Sequence, residues 1–207
     1  MLRQPARALL IDLDGVLRRW DPSVAAGVEE SYGLEAGVLA RTAFDWELLR
    51  PAVAAEMTDA EWMYLVAQRL PLDDDTAAAA VAAWQEHRGT VDEEVLGFVR
   101  EVRAAGRKVG LATNATDRLR GDLDALGLTD EFDAVVSSSE LKVHKPAPEF
   151  FARACSLLGE QPPWVLFVDD DDRVIRGARA AKLLGFRWSG PQDFTYLRKA
   201  LGLRTSV

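Results

Sequence analysis

Near its start the chain carries an apolar run, Ala8-Leu9-Leu10-Ile11, that breaks at Asp12-Leu13-Asp14-Gly15. Such a run predicts a buried strand ending in a polar turn. Three later segments have the same form. Lys108–Ala112 runs into Thr113-Asn114, and Phe132–Val136 runs into Ser137-Ser138-Ser139, with Lys145-Pro146 shortly after. Trp164–Val168 runs into Asp169-Asp170-Asp171-Asp172. Between them, apolar residues recur at helical spacing over 92–105, 116–126, 148–158 and 173–184, and a glycine follows each stretch, at 106, 127, 159 and 185. Glycine just past a periodic segment is the expected helix stop. A short strand, Phe186–Trp188, closes the series. Alternating strands and helices predict an α/β fold: a Rossmann-like core of three layers, with a parallel sheet between helices.

Between the first strand and this alternation the period is helical throughout. Residues 24–32, 36–49, 58–70 and 75–87 each carry apolar positions at i, i+3 or i+4 spacing. Thr58-Asp59-Ala60-Glu61 forms a capping box at the start of the third. The run Ala77–Ala80 is strong helix former rather than low complexity, with Val81 and Trp84 as its core face. The expected organisation is a core of residues 1–16 and 91–207, with a small α-helical domain, residues 17–90, inserted in it.

In an open parallel sheet the ligand site lies outside the carboxyl ends of the strands. That rule gathers Asp12, Asp14, Thr113, Lys145 and Asp170 in one place. Two carboxylates at the end of a buried strand repel each other unless a cation lies between them. If the chain turns at Asp14, which Gly15 permits, one carboxylate and one main-chain carbonyl can face the same metal. Each piece alone also has an ordinary reading. Asp-Gly is a common turn, Thr113-Asn114 is an N-cap for a helix at Thr116, Lys145 is a solvated loop residue, and Asp169–Asp172 is an acidic helix start.

Taken together and in order, Asp12-Leu13-Asp14-Gly15-Val16, Thr113-Asn114, Lys145-Pro146 and Asp169-Asp170 resemble the four motifs of the haloacid dehalogenase-like (HAD) hydrolase superfamily. The resemblance covers essentially the whole chain and marks it as similar to phosphatase-type members with a helical cap between motifs I and II. It implies a hydrolase that cleaves phosphate monoesters of a small metabolite through an aspartyl-phosphate. The resemblance makes Asp12 the nucleophile and Asp14 the acid that protonates the leaving alcohol and then activates water. Mg²⁺ would be held by Asp12, the main-chain carbonyl of Asp14, and Asp170. Thr113 and Lys145 complete the catalytic set, and Thr113, Asn114 and Lys145 bind the phosphate. Arg18, just past the first motif, is expected to contact an anionic substrate. Trp46 and Arg50 are candidates to reach it, His144 is assigned to loop packing, and Trp20, Trp46, Trp62 and Trp84 to packing of the helical insertion. Three positions depart from the family pattern: Lys142 where glycine is frequent, Ala147 where aspartate is common, and Val174 where Asn or Asp is usual.

Three other readings compete. A dehalogenase of the same superfamily also uses an aspartate nucleophile but needs no metal, and its members lack an acid at the position of Asp14. A phosphorylated receiver module gathers Asp, Thr and Lys at strand ends, but without a second acidic cluster after the lysine. A catalytically silent member would bind phosphate or metal only.

Bulk properties narrow the partners. The 207 residues carry a formal net charge of −8, which argues against nucleic acid or an anionic membrane surface. With 48% hydrophobic residues there is enough apolar material for a packed core. The single cysteine, Cys155, excludes an internal disulfide, lies on an apolar helix face, and suits a reducing compartment. No stretch has the apolar length of a membrane span, and the first seven residues lack the apolar region of a signal peptide. A cytoplasmic location is the expectation, and oligomeric state is left open.

Overall fold

The computed structural model describes residues 4–203, so the extreme ends of the expected core lie outside the described residues. Its centre is strand β1 (Ala8–Ile11), four residues that are all buried. A strand with no exposed face must be covered on both sides, and β1 pairs in parallel with β4 (Lys108–Thr113) on one edge and β6 (Val165–Asp169) on the other. β5 (Ala134–Ser137) and β7 (Leu184–Arg187) complete a parallel sheet of order β5-β4-β1-β6-β7. Alternate side chains of β1 go to opposite faces. Leu9 and Ile11 join Phe98, Val99, Leu123 and Leu197 in one core. Ala8 and Leu10 join Phe150, Phe151, Phe167 and Ile175 in another. The first core is covered by α6 (Glu93–Ala104), α7 (Leu119–Ala125) and α11 (Phe194–Leu201), the second by α9 (Pro148–Leu158) and α10 (Asp172–Ala180). The α/β, Rossmann-like architecture is the one the alternation predicted.

Between β1 and α6 the chain forms five helices: α1 (Pro22–Ser31), α2 (Val38–Ala43), α3 (Trp46–Val53), α4 (Asp59–Gln68) and α5 (Asp74–Glu86). They bury a third apolar cluster around Leu39, Trp62, Met63, Val66 and Val81. The capping box at Thr58 and Glu61 is present. A two-stranded antiparallel ribbon, β2 (Arg18–Arg19) and β3 (Thr90–Val91), ties together the two ends of this helical segment. Among the described residues no helix is long and apolar enough to cross a membrane.

The structure differs from the sequence expectation in five places. The helix expected over 36–49 is two, because Asp45 leaves helical geometry to cap α3, its side chain accepting from the Glu47 N–H. The helix expected from Thr116 begins at Leu119, since Thr116 and Asp117 turn their side chains to α4 instead. Thr113 and Asn114 therefore do not cap it. α10 ends at Ala180 with Lys182 in the left-handed region at φ 73°, so Gly185 lies inside β7 rather than ending a helix. A four-residue helix, α8 (Ser138–Leu141), and the β2–β3 ribbon are additions.

Two of the departures from the family pattern are local backbone matters. Lys142 follows α8 at φ 56°, a conformation glycine adopts without strain. Ala147 is the N-cap of α9 and offers no side-chain acceptor. Ala147→Asp should therefore raise the free energy of unfolding by about 1 kcal/mol. Urea denaturation of the two proteins measures this directly, and a variant no more stable than the parent would contradict the capping account.

Candidate active site

Asp12 follows β1 directly, and its N–H continues the ladder by donating to the Val168 carbonyl at 2.9 Å. Its carboxylate is buried and anchored through one oxygen. Oδ1 accepts from the Leu13 N–H at 2.7 Å and meets Lys145 Nζ at 2.9 Å. Lys145 is among the most deeply buried side chains, with 2% of its side chain exposed. Its ammonium donates to the Ala112 carbonyl at 3.0 Å and to Asp169 Oδ2 at 2.6 Å. One lysine thereby bridges the ends of β4, β1 and β6. Asn114 fixes the backbone of that lysine: its Oδ1 accepts from the Lys145 N–H at 2.7 Å and its Nδ2 donates to the Lys145 carbonyl at 3.1 Å. Across the loop, α10 presses closely, since a Cβ on Gly177 would fall 2.5 Å from Pro146 Cβ.

Carboxylate oxygens of Asp12, Asp169 and Asp170 all lie within 4.8 Å of one another. At that separation each pair of like charges repels by about 3.5 kcal/mol for an effective dielectric near 20. A single ammonium cannot neutralise three such groups. Burial, offset in part by Lys145 and reinforced by Asp169, pushes the Asp12 carboxyl up to about 8. Burial and then Asp169 also raise Asp170. Burial pulls Lys145 down, yet Asp12 and Asp169 together hold it above its ordinary value. A compact set of hard oxygen donors with surplus negative charge fits a small divalent cation such as Mg²⁺.

Asp14 lies in different surroundings. Gly15, at φ 80°, turns the chain away from the sheet, and a Cβ there would fall 2.2 Å from Asp170 Oδ2. The Asp14 side chain is 41% exposed and is gripped by Arg18, Nε to Oδ1 at 2.8 Å and Nη2 to Oδ2 at 2.9 Å. Trp20 Nε1 also donates to its Oδ1 at 2.6 Å. Thr113 ends β4, buried, in register with Ser137 of β5.

The structure thus brings Asp12, Lys145, Asp170 and Asp169 together, with Asp14 on the adjoining turn and Thr113 at the end of the neighbouring strand. Asp169 went unassigned in the ligand set read from sequence. Its signal was its place as the last residue of an otherwise apolar strand, where burial is deepest. Two of the expected site residues have protein partners of their own. The Asn114 side-chain amide bonds the main chain of Lys145 on both sides. Arg18 is buried between Asp14 and Asp122, its Nη1 2.9 Å from Asp122 Oδ2, and so does not present its charge to a substrate. Trp20 is not packed into the helical segment but half exposed, its ring under the Arg18 guanidinium at 4.6 Å. Trp46 rests edge-on against His144 at 5.3 Å, beside Arg173 at 5.7 Å, which places α3 over the loop that carries Lys145. Arg50 is taken up by both carboxylate oxygens of Glu56. Cys155 is buried, and burial pushes its thiol up to about 11, which leaves it inert. Val174, the third departure, is a core residue on the buried face of α10.

Comparison with known proteins identifies the family and the fold. Residues 6–182 match the model of a hydrolase family described as haloacid dehalogenase-like hydrolase. The chain is 31% identical over 117 residues to (S)-2-haloacid dehalogenase 1 of Pseudomonas sp. (strain CBS-3), covering 53% of this chain and 50% of that protein. It is 27% identical over 199 residues to phosphoglycolate phosphatase of Salmonella choleraesuis (strain SC-B67), covering 86% and 79%. The chain spans about half the length of several curated relatives it matches, between 40% and 61% of three of them. A HAD family enzyme of Bacteroides thetaiotaomicron, solved in complex with magnesium and inorganic phosphate, superposes with a TM-score of 0.72 at 20% identity, over 93% of this chain and 98% of that one.

Two outcomes are expected of the carboxylate cluster. Because the metal-free fold retains a proton on Asp12 up to about pH 8, and the unfolded chain releases it near 3.8, this group costs stability as pH rises between those values. A bound cation displaces that proton, so Mg²⁺ affinity should climb from pH 6 to 8 by up to about tenfold per unit. Melting curves in EDTA and in Mg²⁺ at pH 6, 7 and 8 test both, with Asp12→Asn showing the flatter dependence; parallel curves for the two proteins would refute the assignment. Gly15→Ala should displace Asp170 and weaken Mg²⁺ binding by about tenfold or more. Calorimetric titration reads this, and an unchanged dissociation constant would show that the contact is not needed.

Proposed function

The chain belongs to the haloacid dehalogenase-like hydrolases, and on that footing we propose that it is a Mg²⁺-dependent phosphatase acting on a small phosphorylated metabolite. The observation that carries this reading is the cluster of Asp12, Asp169 and Asp170 around one lysine, with a second acid, Asp14, on the turn directly after the first. A dehalogenase has no use for so much surplus negative charge, nor for an acid beside the nucleophile. Relatives named for phosphate ester cleavage support it, among them the Salmonella phosphoglycolate phosphatase and an N-acylneuraminate-9-phosphatase from Rattus norvegicus.

In this reading Lys145 and the Leu13 N–H hold Asp12 through Oδ1, leaving Oδ2 to attack the phosphorus in line with the leaving oxygen. The phosphorus–oxygen bond to the alcohol breaks as the aspartyl-phosphate forms, and Asp14 gives its proton to the departing alkoxide. Asp14, now a carboxylate, takes a proton from water, whose oxygen displaces Asp12 and releases inorganic phosphate. Such acid–base help is worth about 10²–10⁴-fold. Mg²⁺ held by Asp12, Asp170 and the main-chain carbonyl of Asp14 would keep Asp12 ionised and offset charge on the phosphoryl oxygens. The Thr113 hydroxyl binds those oxygens from the sheet side, while the Lys145 ammonium, its three hydrogens taken by Ala112, Asp12 and Asp169, offsets their charge. Residues 17–90 act as a helical cap, with Trp46 over the Lys145 loop excluding water.

Purified protein should hydrolyse p-nitrophenyl phosphate and alkyl phosphates only with Mg²⁺ present, and Asp12→Asn should reduce turnover by about 10³-fold or more while keeping the parent's circular dichroism spectrum. Halide release from 2-chloropropionate without metal, together with no phosphate released from any ester, would sink the proposal in favour of a dehalogenase.

A further inference from the structure

Two of the three clustered carboxylates are fixed through their own oxygens. Asp12 Oδ1 is held by the Leu13 N–H and by Lys145. Asp169 is held by Lys145 at Oδ2 and by the Asp171 N–H at Oδ1, 2.9 Å away. Among the described residues, the Asp170 carboxylate accepts from no other residue and rests against Gly15. Its aim is therefore set by its main chain. β6 ends at Asp169, whose carbonyl accepts from the Trp188 N–H at 2.9 Å, so the ladder with the edge strand stops one residue short of Asp170. The next bond comes from a side chain: Arg187 Nε donates to the Asp170 carbonyl at 3.1 Å. Among the described residues no other hydrogen bond reaches the Asp170 main chain. The sheet register puts Arg187 there. It is the last residue of β7 and the ladder partner of Asp169. Leu184 and Phe186 pack on the core covered by α6 and α11, so by alternation Arg187 goes to the α10 face. It is exposed and, among the described residues, makes no ion pair, although four aspartates run from 169 to 172. An arginine that bonds this carbonyl rather than the carboxylate leaves the Asp170 oxygens open to a cation.

We propose that Arg187 is a positioning residue for the metal site: it fixes the turn after β6 so that Asp170 faces the same cation as Asp12. The proposal rests on the Mg²⁺ reading and adds to it the residue that preorganises one of its ligands. A ligand that can turn must lose that freedom when the metal binds, and a bond that holds it beforehand strengthens binding. Partners of this kind, behind a ligand, typically change metal affinity by about 10–100-fold. The charge of Arg187 works in the opposite direction, because a guanidinium beside Asp170 repels a divalent cation. Loss of the bond weakens Mg²⁺ binding, whereas loss of the charge alone tightens it. The two accounts of this arginine therefore differ in sign.

The test compares Arg187→Met, which removes donor and charge, with Arg187→Lys, which keeps the charge and a donor. Calorimetric titration with Mg²⁺ should give a Kd about tenfold weaker for Arg187→Met and within about threefold of the parent for Arg187→Lys. Melting in EDTA should be the same for all three proteins, since Arg187 is an exposed residue at the sheet edge. An unchanged Kd for Arg187→Met would overturn the proposal, and a tighter one would do so by showing that the arginine acts through charge alone. Turnover separates metal from substrate. With a phosphate ester, the Mg²⁺ concentration for half-maximal rate should rise about tenfold in Arg187→Met, while kcat at saturating Mg²⁺ and the KM for the ester stay within about threefold. A raised ester KM at an unchanged Mg²⁺ constant would make Arg187 a substrate contact and also overturn the proposal. If the parent takes up no Mg²⁺, the metal reading falls and the proposal falls with it. If the parent binds Mg²⁺ but cleaves no ester, the phosphatase reading falls, and the ratio of the two Kd values still decides the role of Arg187.

Discussion

The ammonium of Lys145 is the contact on which the site depends. It lies where three strand ends converge, bonded to the carbonyl of Ala112 and to the carboxylates of Asp12 and Asp169. Without it, two buried carboxylates would face each other with no compensating charge, a cost of several kcal/mol. The fold is arranged to keep it there. Asn114 clamps the lysine's main chain from β4, α10 presses on Pro146 through the bare backbone of Gly177, and Phe167 lies under the ammonium at 5.6 Å. Asn114 therefore fixes the backbone from which the ammonium is presented.

One lysine does not balance the cluster, and that imbalance is what the site offers chemically. Asp12 and Asp169 share the ammonium, while Asp170 lies against Gly15 on the far side of the turn. The remaining negative charge is directed at the space above the sheet, where it would draw a cation and, only through that cation, an anionic group. Structural ion pairs are usually balanced, so a buried excess of one sign argues for a ligand.

The strands and their acidic ends were legible in the sequence because buried parallel strands are continuous apolar runs and the polar residue that ends each one is conspicuous. What escaped was set by interactions too short or too distant to leave a period. Two residues of β2 and two of β3 have no pattern of their own, and the four of α8 are fewer than helical periodicity needs. Phe44 is apolar at a helical position, so the pattern ran straight through the break that Asp45 makes. Thr116 and Asp117 read as a helix start because Ser/Thr/Asp residues usually cap, but here α4 claims them across 57 and 58 residues of chain. The same limit explains Arg18: its neighbours in sequence fixed its place at the first motif, whereas its partner Asp122 lies 104 residues on.

Asp12 and Asp14 stand two residues apart and have opposite environments, which is how one short stretch can supply two roles. Asp12 remains in line with the sheet, buried, with one oxygen fixed by Leu13 and Lys145, and a fixed carboxylate loses little freedom on forming a bond. Asp14 is carried out of the sheet by Gly15 into partial solvent, on partners that are side chains rather than main chain. Side-chain partners allow Asp14 a rotation that a strand would forbid. The difference follows from the left-handed turn at Gly15: a residue with a Cβ there would strike Asp170 and disturb the turn that carries Asp14. The glycine is thus constrained from both sides, by its backbone angle and by the room its missing side chain leaves.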